Sequence, residues 1–280
     1  MVRSDVRSPL VASYNCLTFL TDYGLEDGFV AACHGVASRI VPAARIIDVT
    51  HLVPPGDVRR GAAVLAQTVP YLPPAVHVAV VDPGVGTSRL GVAVQAGDRI
   101  FVGPDNGVLS WAIAAAGGPD RAVQLSNSEL WLHPVSPTFH GRDIFTPVAA
   151  HLVNGVDLAT VGTESPVADL VTLPAPTSRV HDGEVEGEVM SVDRFGNVQL
   201  SISSAEIGLL GTGFGATLVV RCGRRQLTVP YLETFAAVAP GELVAFTDSA
   251  GLVSLAVNAG DAAQRLGLPP GAHVRLAAAP

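Results

Sequence analysis

Three short polar clusters stand where a chain alternating strands and helices presents its ligand-binding groups, beyond the carboxyl ends of strands. The first is Thr21-Asp22-Tyr23-Gly24. An ionised aspartate only accepts hydrogen bonds and has two oxygens to do so, which suits Asp22 to both hydroxyls of a ribose. The same residue is equally an ordinary turn-former that bonds its own backbone. The second cluster runs from Asp82 to Arg89 and places an acid and a guanidinium in one loop with Gly84 and Gly86. Glycine there lets the backbone approach a ligand closely. The loop lacks the lysine and the following helix of a phosphate cradle, and a lone Asp–Arg pair is often a surface salt bridge of little energetic value. The third cluster is Pro137-Thr138-Phe139-His140-Gly141-Arg142-Asp143, just before a helix. A helix N-terminus disfavours the imidazolium, so His140 reads either as a neutral catalytic ring or as a cap. Asp143 reads as a first-turn helix acid. Asp82, Asp105, His140 and Asp143 imitate a metal site, but no HxH, HExxH or DxD spacing supports one, and no metal is expected.

Two features of the second half of the chain carry similar potential. In Ser191-Val192-Asp193-Arg194-Phe195-Gly196-Asn197-Val198 a strand ends in an acid, turns through a glycine and restarts with an amide. Asn197 both donates and accepts, as reading an adenine edge requires; the plain alternative is a hairpin held by Asx-turn chemistry. Phe235, one of 9 phenylalanines, reads as a stacking surface for a base or as barrel core.

Composition narrows the classes of chemistry. All 17 cations are arginine, against 25 acids, for a net charge of -8. The absence of lysine excludes a Schiff-base lysine and a P-loop lysine. The acidic balance argues against a nucleic-acid partner, which normally meets a basic stripe, and favours a cationic or zwitterionic small molecule. Cys16, Cys33 and Cys222 are odd in number and widely spaced, so neither a disulfide framework nor a zinc knuckle is expected. The first ten residues lack a signal-peptide core, and the longest uncharged run is broken by Pro70, Pro73 and Pro74. These features predict a cytoplasmic protein with no membrane segment.

The elements that must position these clusters fall into two blocks. Residues 1–175 alternate strands (Leu17–Thr21, Arg45–Val49, Val76–Val81) with helices, one capped by Asp27 and presenting Val30, Cys33, Val36, Ala37 and Ile40, another over Asp57–Thr68. A hairpin is expected over Gly91–Gln95 and Arg99–Val102, and further helices near Val108–Ala116 and Asp143–Asn154. The continuous apolar run at Val76–Val81 is of the kind buried on both faces of a parallel sheet. The pattern predicts an α/β domain with a largely parallel sheet flanked by helices. Leu173-Pro174-Ala175-Pro176 opens a linker. Over 176–280 the period changes to two, with seven short strands and Ala259–Leu266 as the only expected helix, which predicts an all-β small barrel.

Taken together and in order, the clusters resemble one family: the S-adenosyl-L-methionine hydroxide adenosyltransferases, hydrolase relatives of fluorinase and chlorinase. The resemblance covers residues 15–278. It rests on Phe19-Leu20-Thr21-Asp22-Tyr23-Gly24, Ile47-Asp48-Val49-Thr50-His51, Val80-Val81-Asp82-Pro83-Gly84-Val85-Gly86-Thr87, Gly103-Pro104-Asp105-Asn106-Gly107, Thr138-Phe139-His140-Gly141-Arg142-Asp143 and Asp193-Arg194-Phe195-Gly196-Asn197. It implies an α/β domain joined to a β-barrel, a homotrimer with active sites between subunits, and conversion of S-adenosylmethionine and water to adenosine and L-methionine without a cofactor. It places the hydrolytic triad on Asp82, Arg89 and His140, the ribose acid on Asp22, the methionine-amine partner on Asp193 and the adenine reader on Asn197. Phe139 and Phe235 would line the nucleoside pocket, and Ser249 would contact the methionine end. Val85 and Gly141 stand where fluorinase has hydroxyl side chains, which speaks against a halogenase. Ala250 replaces an arginine of the halogenases and Ser254 a glutamate of many hydrolases, so the methionine end departs from the pattern. A non-catalytic adenosine or S-adenosylmethionine sensor on the same scaffold is the alternative from another class.

Overall fold

The computed structural model describes residues 14–280, so the N-terminal segment read for signal-peptide character lies outside the described residues. The chain divides into two compact units, the first running to Leu173 and the second starting at Pro174, within the proline-rich segment.

The first unit is built on seven strands: β1 (Cys16–Thr21), β2 (Arg45–Thr50), β3 (Val76–Val80), β4 (Gly91–Ala96), β5 (Arg99–Pro104), β6 (Arg121–Gln124) and β7 (Thr163–Ser165). Their order is β2-β1-β3-β5-β4-β6-β7. The pairings among β2, β1, β3 and β5 are parallel, and those linking β5, β4, β6 and β7 are antiparallel. Every residue of β1 and β3 is buried because both faces are covered. Leu17, Phe19, Val76 and Val78 join one core with helices α1 (Phe29–Ile40) and α4 (Thr146–Val153). Leu20 and Ala79 point the other way, into a core with α2 (Val58–Thr68) and α3 (Ser110–Ala115). That alternation is the period-two geometry of a strand between two helical layers.

Details differ from the sequence expectations for local reasons. Gly28, not Asp27, precedes α1, and no side chain caps it. Asp57 does cap α2, accepting from Arg60 N at 2.9 Å. The helix expected from Asp143 opens instead with a π turn over Gly141–Phe145. β6 and β7 were not expected; both are short and lie toward the sheet edge, where little apolar periodicity accumulates.

The second unit contains β8 (Ser178–His181), β9 (Glu184–Val192), β10 (Val198–Ser203), β11 (Thr217–Cys222), β12 (Arg225–Pro230), β13 (Leu243–Thr247), β14 (Leu252–Val257) and β15 (His273–Ala278). The order β12-β11-β15-β9-β10-β14-β13 is antiparallel throughout, with β8 added on β9. Leu232 N, just after β12, donates to Ala245 O of β13 at 2.9 Å and draws the sheet toward closure. Its inward residues form one apolar core that includes Val189, Leu200, Val220, Leu255 and Leu276. Ala259–Leu266 is not the unit's only helix. Beside α6 (Ala262–Leu266) there is α5 (Ser204–Gly208), opened by a capping box between Ser203 and Glu206. Five residues are too few for helical periodicity to register in the sequence. No helix among the described residues is long and apolar enough to cross a membrane.

Candidate active site

Parallel strands β1 and β3 lie side by side, so the residues following them, Asp22 and Asp82, emerge at the same edge of the sheet. Asp82 is 5% exposed and Arg89 10%, so the pair is no surface salt bridge. Arg89 grips Asp82 with two parallel bonds: Nε donates to Oδ1 at 3.1 Å, and Nη2 donates to Oδ2. Nη2 also donates to His140 Nδ1 at 3.1 Å. The guanidinium lies over the Phe145 ring, 5.2 Å from its centroid. The loop owes its course to Gly86, whose φ is +76° and whose absent Cβ would stand 2.4 Å from Pro137 O. That close approach seats the Asp82–Arg89 loop against the segment carrying His140.

An arginine never accepts a hydrogen bond, so His140 Nδ1 must be the acceptor, and a neutral ring then carries its proton on Nε2. Burial and the neighbouring Arg89 charge lower the His140 pKa, against the opposing pull of Asp82 and Asp143. The ring is thus kept neutral chiefly by burial and a guanidinium. Asp143, read as a helix-end acid, is wholly buried and has a structural task. It accepts from Arg142 Nε at 2.6 Å, Arg142 Nη2 at 2.9 Å and Ser136 N at 2.8 Å, fixing the loop ahead of His140.

Asp22 accepts from Gly56 N at 2.8 Å through Oδ2. Beside it, Tyr23 packs edge-on against Phe139 (5.6 Å between centroids), and Phe29 packs edge-on against Phe139 (5.2 Å). A Cβ on Gly141 would stand 1.9 Å from the Tyr23 hydroxyl, so only glycine lets that ring lie against the backbone next to His140. Burial, followed by the Cys33, Asp22 and Asp82 charges, raises the Tyr23 pKa well above its ordinary value. Tyr23, Phe29 and Phe145 are neighbours of the site that sequence reasoning did not single out; only Tyr23 carried a signal, by lying inside the first cluster. Asp105 and Asn106 brace the edge: Asp105 accepts from Val171 N at 2.9 Å, and Asn106 Nδ2 donates to Val81 O at 2.8 Å.

Two family models match the chain: the SAM hydroxide adenosyltransferase N-terminal domain over residues 17–162 and its C-terminal domain over 187–275. The chain belongs to that family. It is 54% identical over 262 residues to a (R)-S-adenosyl-L-methionine hydrolase of Salinispora tropica, covering 94% of this chain and 97% of that one. It is 42% identical to a protein of the same name from Thermus thermophilus, over 92% and 98% of the two chains. A fluorinase of Actinopolyspora mzabensis matches at 28% identity over 93% and 96%. Among solved structures, an uncharacterized conserved protein from Thermotoga maritima superposes with a TM-score of 0.87 at 39% identity, covering 93% of this chain and 99% of the other.

The barrel unit of this family member holds the remaining candidates in local turns. Asp193 accepts from Phe195 N at 2.8 Å, Asn197 N at 2.9 Å and Asn197 Nδ2 at 2.7 Å, so the Asx-turn reading holds whatever else the two residues do. Phe235 is half-exposed and packs edge-on to Phe246 at 6.2 Å, which corrects the barrel-core alternative. Ser249 is exposed in the turn between β13 and β14. Ser254 is buried and donates to Asp248 Oδ2 at 2.9 Å, where Gln199 Nε2 also donates at 2.7 Å.

Proposed function

We propose that the chain hydrolyses S-adenosyl-L-methionine to adenosine and L-methionine, with water attacking the ribose C5′. The observation that carries this reading is Arg89 clamped between the Asp82 carboxylate and a neutral His140. The sulfonium substrate expels a neutral thioether, so no acid is needed at the leaving group and no cofactor is required. The difficulty is the nucleophile. Asp82 and His140 engage Arg89 through Nε and Nη2, which leaves the Nη1 hydrogens to face a water and stabilise its hydroxide form by a fixed positive charge. His140, with Nδ1 accepting from Arg89, presents Nε2–H to that oxygen as a donor and orients it, rather than removing its proton. The reacting oxygen is thus delivered as hydroxide under Arg89, its proton leaving to solvent or the Asp82 carboxylate.

Alignment supplies the rest. Back-side displacement needs oxygen, C5′ and sulfur nearly collinear, and holding reactants so contributes roughly 7–11 kcal/mol. Asp22 would hold the ribose hydroxyls, and the Tyr23–Phe29–Phe139 wall would flank the nucleoside. Asn197 spends one of its two amide hydrogens on Asp193, so its second hydrogen and its carbonyl oxygen would remain for the adenine edge. Phe235 would stack on the base; Asp193 and Ser249 would take the methionine end. Val85 and Gly141 offer no hydroxyl for a halide, which separates this chain from the fluorinase relatives.

Incubation with S-adenosylmethionine in heavy-oxygen water tests the reading, and adenosine labelled at its 5′ oxygen is expected. A 5′-chloronucleoside in the presence of chloride would make the chain a halogenase, and tight binding without turnover would make it a sensor; either outcome overturns the proposal. We further propose a cytoplasmic homotrimer in which one subunit's triad works with a neighbour's Asn197 and Phe235, as a heterologous ring-closing contact permits. At substrate well below the KM of the Asn197→Ala enzyme, doubly tagged trimers mixing Arg89→Ala and Asn197→Ala subunits should turn over faster than either parent, and no recovery would place each site within one chain.

A further inference from the structure

On the first unit, away from Arg89 and His140 in sequence, three side chains from different elements converge. His34 lies on α1, Asp48 on β2, and His51 just beyond β2. One atom from each lies within 4.8 Å of the others. His34 Nε2 is 2.9 Å from Asp48 Oδ1, and His51 Nε2 is 3.0 Å from the same oxygen. We propose that His34, Asp48 and His51 bind one divalent transition-metal ion of the zinc class.

The decisive observation is at His51. Its side chain is 4% exposed, yet Nε2 has no hydrogen-bond partner although the Asp48 oxygen is close by. A buried ring nitrogen without a hydrogen bond is costly, and one lying 3.0 Å from a carboxylate oxygen and within 4.8 Å of a second imidazole nitrogen is placed as a ligand. The other nitrogen, Nδ1, is 2.9 Å from Thr21 Oγ1. With Nδ1–H donating to that hydroxyl, the Nε2 lone pair faces the cluster, which is how metal-bound histidines are commonly held. Two imidazoles and a carboxylate suit zinc and its neighbours rather than magnesium or calcium. With zinc-to-ligand bonds of about 2.0–2.2 Å, tetrahedral donors stand about 3.3 Å apart, so the two histidine–carboxylate spacings need open by only a few tenths of an ångström. His34 and Asp48 are 30% and 42% exposed, which leaves an approach for the ion and a place for water as fourth ligand. The site would also brace the ribose-facing turn, because Gly24 N donates to His51 O at 2.8 Å and Thr21 Oγ1 accepts from Tyr23 N at 3.2 Å.

The test uses untagged, chelator-treated full-length protein. Calorimetric titration with zinc should give one equivalent, and cobalt should give the absorption of a tetrahedral site. His34→Ala and Asp48→Asn, both at part-exposed positions, should each weaken zinc binding about 100-fold. Zinc should raise the melting temperature of the wild type and leave those variants unmoved. Should either variant misfold, histidine-ring NMR of the wild type decides: zinc should shift the His34 and His51 signals. No binding at micromolar zinc, unchanged affinity in both folded variants, or shifts confined to His181 and His273, which flank Glu186 on the barrel unit, would overturn the proposal.

Discussion

The loop bearing Asp82 and Arg89 and the turn bearing Asp193 and Asn197 both hold an aspartate against a donor beside a glycine. In the α/β unit the partners are 7 and 51 residues apart, and Asp82 and Arg89 are nearly withdrawn from water. In the barrel unit Asp193 bonds groups two and four residues on, and its neighbour Phe195 is 74% exposed. Charges strengthen one another as water is excluded, so the first arrangement can perturb a ring and a water, whereas the second holds a shape for a ligand to meet. The titratable groups repeat the contrast. Burial displaces His140, His77, Tyr23 and Asp105 in the α/β unit. In the barrel, burial pushes Glu206 upward but is outweighed by hydrogen bonds from Ser178 and Ser203, local cap chemistry that leaves it lowered. The contrast fits the proposed division, with reactivity in the first unit and recognition in the second.

The sharpest way to break that division is to remove one group from each side. Arg89→Ala should lower kcat by about 100- to 1,000-fold, the usual cost of losing an oriented electrostatic group. Asn197→Ala should act mainly on KM. Steady-state kinetics on both variants check this, and an equal loss of kcat in the two would erase the distinction.

Next in size is the buried histidine of β3. Burial, then the Arg99 charge, lowers His77 from 6.5 to about 4. The unfolded chain takes up this proton near 6.5 and the folded one only near 4, so stability should fall as pH drops through that window, by on the order of 3 kcal/mol. Urea unfolding of wild type and His77→Gln at neutral and acidic pH should show a flatter dependence in the variant.

A smaller effect is expected at His140. Since its pKa lies below the ordinary histidine range, turnover should be flat through neutral pH and fall about tenfold per unit once the ring protonates and can no longer accept from Arg89. His140→Asn, which offers Arg89 an amide oxygen, should keep part of the activity and lose that acidic limb in a pH–rate profile. Smallest of all, Glu206→Ala should cost about 1 kcal/mol of barrel stability through the lost cap, with kcat unchanged. A fall in kcat there would show that the barrel contributes more than recognition.

Much of this architecture was legible because it depends on local pattern. The uninterrupted apolar run at β3, the period-two alternation of β9 and β10 and the Asp57 cap are readable from neighbours alone. The short edge strands, the five-residue α5 and the π turn at Gly141 were not, because each is too short for a repeating pattern to register. Five of the six polar motifs lie in the α/β unit and hold candidates such as Asp22, Asp82 and His140, yet they did not say that Asp143 is a buried brace or that Tyr23 lies against Gly141.

By itself the sequence determined the two-unit plan, the identity of Asp82, Arg89 and His140 as candidates, and the family to which the chain belongs. Only the tertiary structure decided that Arg89 donates to His140 Nδ1, which places the proton of the neutral ring on Nε2. It alone also brought His34, 14 residues before Asp48, to the same carboxylate oxygen as His51. Propensity and period are properties of adjacent residues. Protonation, ion pairing and metal ligation depend on burial and on partners that folding brings from distant parts of the chain.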